Sequence, residues 1–149
     1  MTSHGNNHHH RYVIQALYTW TLVHTPWDDL AQWIHQTVPL PYQAITATMV
    51  ESIIHATRIT DPWIQAASSQ CQIKRIPPIE QSILRLGIWE LQHSPQISVK
   101  TIVRQCTHLS DHYGSYRNPA QIRMILERLA QRIRSDQPTP SLSLEASHV

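Results

Sequence analysis

Apolar residues recur at steps of three and four along most of this chain, and no segment sustains a two-residue alternation. That period belongs to helices with one buried face. The pattern is densest from Pro77 to Leu91 (PPIEQSILRLGIWEL), where Ile79, Ile83, Leu84, Gly87, Ile88 and Leu91 fall on one wide face. A face that wide predicts a central buried helix touching more than one neighbour. Pro77 and Pro78 suit its start, where a missing N–H costs nothing, and Glu80 complements the positive end of the helix. Gly87 in mid-helix costs about 1 kcal/mol against alanine, which predicts the close approach of another helix. Glu80, Arg85 and Glu90 are the only charges of the segment and read as a polar strip.

The same period marks six further elements. Arg11 to His24 predicts a first helix, with Ile14, Leu17, Tyr18 and Thr21 along one side. Thr25-Pro26-Trp27-Asp28 has the form of a capped start for a second helix running to about Thr37. Pro39-Leu40-Pro41 separates it from a third, Tyr42 to Ile59, with Ile45, Met49, Ile53 and Ala56 as its apolar face. Asp61-Pro62 reads as another cap and start, giving a short fourth helix to Cys71. Beyond the central helix, Ser98 caps a sixth whose face is Ile102, Val103, Cys106, Leu109 and Tyr113, stopped by Gly114 as a C′ glycine. Asn118-Pro119 opens the last, with Ile122, Ile125, Leu126, Leu129 and Ile133. The prediction is all-α: about seven helices in one domain over residues 9–135, between disordered tails at 1–8 and 136–149.

Composition narrows this picture. The chain has 149 residues, enough to bury a core without staples. Three glycines are too few for a Gly-rich phosphate cradle, and five Trp and five Tyr with no Phe form an unusual aromatic set. No apolar run is long enough to span a membrane, and there is no secretory h-region. Cys71 and Cys106 form no CxxC pair, which fits a reducing cytoplasm. Net charge is +2, made of −2 over residues 1–72 and +4 over 73–149. A basic C-terminal half is a mild pointer to a polyanionic partner.

Few residues carry a chemical signal. His108 and His112 stand four apart, a metal-compatible spacing, but they lack a third ligand and read as surface histidines. Cys106 lies on the apolar stripe, which favours packing over nucleophilic chemistry. There is no GxSxG, P-loop, HExxH or carboxylate cluster, so an enzyme reading is weak. What remains is a cationic and aromatic surface of the kind single-stranded RNA uses, through phosphate contacts and base stacking. Its elements are His8, His9, His10 and Arg11 before the first helix, and Arg117, Arg123, Arg128, Arg132 and Arg134 in or near the last.

Two stretches resemble the bacterial transcription antitermination factor family NusB. Val13 to Trp20 (VIQALYTW) is similar to that family's QALYxW segment, and Ile79 to Leu91 to its E-x-A-I-L-R-x-A-x-Y-E-L. The helix order and the Tyr113-Gly114 stop agree over most of residues 10–134. The resemblance implies two perpendicular helical bundles sharing one core. It implies no catalysis, no cofactor, no metal and no small-molecule substrate. It implies binding of boxA-type single-stranded RNA together with the small-subunit ribosomal protein NusE, within the RNA polymerase antitermination complex. The RNA face it points to is His9, His10, Arg11, Gln15 and Tyr18 on the first helix, Tyr113 and Arg117 at the connection before the last, and Arg123. The chain departs from the family there. Asn6 to Arg11 stands where the family has an arginine-rich run, and most free histidines are uncharged at neutral pH. Arg104-Gln105-Cys106 replaces Asn-Glu-Ala, Gln121 to Met124 replaces Phe-Val-Asn-Gly, and Arg117 replaces an acidic residue. The alternative is a protein-interaction module of the same fold that has lost RNA affinity.

Overall fold

The computed structural model describes residues 7–114 and 119–135, which form six α-helices and no strand. They are α1 (His9–Val23), α2 (Trp27–Thr37), α3 (Leu40–Gln70), α4 (Pro78–His93), α5 (Val99–Tyr113) and α6 (Pro119–Arg134). The expected tails fall outside the described residues, except for Asn7 and His8. α4 is the shared element: α1, α3, α5 and α6 all pack on it, α3 also meets α6, and α2 closes on α1 and α3. Ile83, Leu84, Leu86, Ile88 and Leu91 on α4 are each at most 1% exposed. A Cβ on Gly87 would lie 2.6 Å from Leu126 Cδ2 and 3.2 Å from Cys106 Sγ, so the glycine admits α5 and α6 against α4.

Three expectations fail for physical reasons. The third and fourth helices are one: α3 runs 31 residues through Pro62. An interior proline removes one backbone bond and costs about 3 kcal/mol. Here its ring faces solvent, and one buried stripe, Met49, Ile53, Thr57, Thr60, Ile64 and Ala67, continues across it at steps of three and four. Packing of that stripe on α1 and α4 offsets the lost bond. Asp61 is therefore no cap but a partner of α4. The stripe also lies one position round from the predicted face, leaving Ile45 42% exposed while Thr46 is buried. Second, α2 takes Pro26 as its N-cap with no side-chain cap, so Thr25 does not cap it, whereas Ser98 does cap α5, accepting from Thr101 N at 3.1 Å. Third, Gly114 ends α5 in an extended conformation with φ −67°, not the left-handed one. The glycine is needed for space: a Cβ there would press on Ser110 O and lie 2.6 Å from Glu80 Oε2.

The polar strip of α4 is not solvated either. Glu80, Arg85 and Glu90 are all buried, because helices surround α4. Arg85 forms a bidentate pair with Asp61 on α3 (Nε–Oδ1 3.0 Å, Nη2–Oδ2 2.8 Å) and donates from Nη1 to Thr21 Oγ1 on α1 at 2.7 Å. A charged group inside a fold holds its place only when partnered in this way. Arg134 at the end of α6 is likewise structural. Its guanidinium donates to the carbonyls of Leu91, Ser94 and Ile97 at 3.0, 3.0 and 2.7 Å, fastening α6 to the C-terminal end of α4.

Candidate nucleic-acid interface

α1 opens without a side-chain cap or an acidic residue in its first turn, so no carboxylate of that turn offsets the positive end of the helix. Arg11, Gln15 and Tyr18 follow at steps of four and three, on the face opposite the buried Val13, Ile14 and Leu17. Arg11 and Gln15 are exposed and Tyr18 is half-buried. Beside this stripe lies an aromatic group that periodicity did not reveal. The rings of Tyr12 and Tyr42 stack with centroids 6.2 Å apart, His8 lies 5.9 Å from Tyr42, and the Arg11 guanidinium sits 5.3 Å over Tyr12. Tyr42 comes from the first turn of α3, so no local pattern could have joined it to α1.

The histidine run divides. His8 is exposed and His9 half-buried. His10 is 4% exposed and turned inward, with Nε2 3.2 Å from Glu90 Oε2. As a surface phosphate contact, His10 is corrected: its place on the stripe of Val13, Ile14 and Leu17 carries it into the core. Glu90 also accepts from Ser94 Oγ at 2.7 Å. Burial works to raise the Glu90 pKa. Hydrogen bonds from His10 and Ser94, with the charge of His10 and His9, outweigh burial and hold the carboxyl below its usual range.

Between the start of α1 and the middle of α5 lies a cleft of about 310 Å³, lined by Asn7, His10, Arg104, Gln105, His108 and Leu109. One turn further along α5 are His112 and Tyr113. Tyr113 belongs to no buried stripe: it is 39% exposed, its ring edge-on to His112 at 4.5 Å. The α5 face thus extends the α1 surface towards Tyr113. Arg117 lies outside the described residues. Arg123 is exposed on α6, which packs on α3, α4 and α5. Of the other basic residues of α6, Arg132 lies over the Trp63 ring at 5.1 Å and Arg128 donates to Gln70 Oε1 at 3.3 Å.

Enzymatic constellations fare differently. Cys106 is buried and its thiol is pushed up to about 12, by desolvation first and the Glu90 charge second, which leaves almost no thiolate. His108 and His112 stack at 6.3 Å on the exposed face, and no third ligand joins them among the described residues. Among the described residues no helix is long and apolar enough to cross a membrane.

The described residues form an all-helical module built on a central helix, with Arg11 beside an aromatic group at the start of α1. The comparisons specify its family. The NusB family model matches residues 8–131, and the chain belongs to the NusB family. It is 24% identical over 135 residues to a protein of Hydrogenovibrio crunogenus named transcription antitermination protein NusB, covering 87% of this chain and 81% of that one. A Coxiella burnetii protein of the same name is 28% identical over 126 residues, covering 83% and 91%.

Proposed function

We propose that this chain is a non-catalytic transcription antitermination accessory factor of the cytoplasm. It binds boxA-type single-stranded RNA together with the ribosomal protein NusE and acts within the antitermination complex on RNA polymerase. The observation that carries the reading is the exposed Arg11, Gln15 and Tyr18 stripe beside the stacked Tyr12, Tyr42 and His8 group. Phosphate and base recognition need a cation next to aromatic rings, and this surface offers both. His9, Tyr113 and, from the cleft, Arg104 extend it; Arg117 and Arg123 supply further phosphate contacts.

A titration of boxA-like RNA over a salt series, with and without NusE, tests the proposal. Binding should weaken steeply with salt, and Tyr12→Ala should cost about 1–3 kcal/mol if a base stacks there. Arg117→Glu should lower the salt slope by about one unit. One observation favours the interaction-module alternative: with His10 turned inward, Arg11 is the only Lys or Arg in the opening turn of α1. NusE binding without any salt-dependent RNA binding would decide for that alternative.

A further inference from the structure

We propose that the start of α1 and the end of α4 form a binding site for a zinc-class divalent metal ion, with His9, His10 and Glu90 as its ligands. The three residues each direct one donor atom into a common space, all within 4.8 Å of one another. They come from positions 80 residues apart, and the juxtaposition is built rather than incidental. His10 is in the core, Glu90 is buried beside it, and the Oε2–Nε2 distance is 3.2 Å. Ser94 Oγ takes up Glu90 Oε1 at 2.7 Å, which leaves Oε2 directed at the imidazoles. That is the outer-shell arrangement that orients carboxylate ligands in metal sites. The His9 and His10 rings meet edge-on at 4.6 Å.

The donor set is two imidazoles and one carboxylate, which suits zinc and leaves one coordination position open. Zinc bonds of about 2.0–2.2 Å place tetrahedral donors roughly 3.3–3.6 Å apart. The His10–Glu90 separation of 3.2 Å lies just under that spacing. His9 is half-buried at the first position of α1 and closes the remainder by a change of rotamer. His10 lines the cleft between α1 and α5, which gives an ion a route in and gives a water or an anionic oxygen access to the fourth position. A bound ion would tie the first turn of α1, where the proposed RNA surface begins, to the central helix. The site itself rests on the donor geometry and not on the RNA reading.

The test is calorimetric titration of chelator-treated full-length protein with Zn²⁺, alongside thermal unfolding. One equivalent should bind, and the melting temperature should rise on binding. Glu90→Gln keeps the size of the side chain and the whole histidine run, and should weaken binding at least tenfold and abolish the thermal shift. His9→Ala, at a half-buried position, should do the same with the fold intact, which covers a Glu90→Gln variant that fails to fold. His8→Ala should bind as the wild type does. Equal affinity in wild type, Glu90→Gln and His9→Ala would show that the histidine run chelates unaided and would overturn the proposal. So would the absence of stoichiometric binding by the wild type. Loss of RNA binding with zinc binding retained would count against the proposed function alone.

Discussion

α4 and α6 are each 16 residues long and carry the same three-four apolar period, yet they treat charge in opposite ways. All three charges of α4 are buried, and Arg85 and Glu90 are joined to other elements, whereas Arg123, Glu127, Arg128 and Arg132 of α6 are exposed and only Arg134 is held inside. The difference follows from surroundings. α4 meets α1, α3, α5 and α6 and exposes only Gln92 and His93 at its C-terminal end, while α6 keeps its outer face in water. A charge on a surrounded helix must find a partner or the helix will not stay there, so it becomes a fastener. A charge on a two-sided helix remains available for a ligand. The same rule sorts the opening turn of α1, where His10 is a fastener and Arg11 is free.

The largest effects should therefore come from α4. Leu84→Ala leaves a cavity at a fully buried position and should cost about 2–5 kcal/mol in denaturant unfolding, against about 0.5 kcal/mol or less for Met124→Ala on the outer face of α6. Equal costs would erase the distinction between the two helices. Next come two of the four arginines of α6. Arg134→Met keeps volume but strands the carbonyls of Leu91, Ser94 and Ile97, and should cost about 2–4 kcal/mol. Arg123→Met should stay within about 0.5 kcal/mol. A smaller, kinetic distinction separates the cysteines. Alkylation at pH 8 should label Cys71 in the native protein and reach Cys106 only as fast as the molecule unfolds. Rapid native labelling of Cys106 would place it outside the core.

Much of the fold was legible because it rests on local period. The α4 face, the Ser98 cap and the α6 stripe were readable, and Gly87 correctly announced a close helix. The failures share a cause: punctuation was weighted above period. Cutting α3 at Asp61-Pro62 overlooked that Thr57, Thr60, Ile64 and Ala67 continue one stripe through the proline. Starting α1 at Arg11 hid that His10, Val13, Ile14 and Leu17 share the core face, a signal present in the residues. Other features were beyond any local reading. The pairings of Glu90 with His10, Arg85 with Asp61 and Tyr12 with Tyr42 join residues 80, 24 and 30 apart, and the tertiary fold alone brings them together.

The finest test of the comparison sets His10 against its neighbour Arg11. If buried charges are fasteners and exposed ones are ligand contacts, the two should affect different measurements. Arg11→Gln removes a free guanidinium and should leave the melting temperature unchanged. It should lower the slope of log affinity for boxA-like RNA against log salt by about one unit, the signature of one lost phosphate contact. His10→Gln keeps a polar side chain near Glu90 but packs less well against it. It should lower the melting temperature and leave the salt slope as it was. Both measurements belong in chelator-treated protein, so that metal binding at His9, His10 and Glu90 does not enter. A His10→Gln slope reduced as much as that of Arg11→Gln would mean that the histidine swings outward to meet RNA, and the division between the two residues would fall. A slope unchanged by Arg11→Gln would remove the α1 stripe from the RNA surface. Either result reads on the neighbouring pair alone, because His10 faces Glu90 and Arg11 faces solvent on the same helical turn.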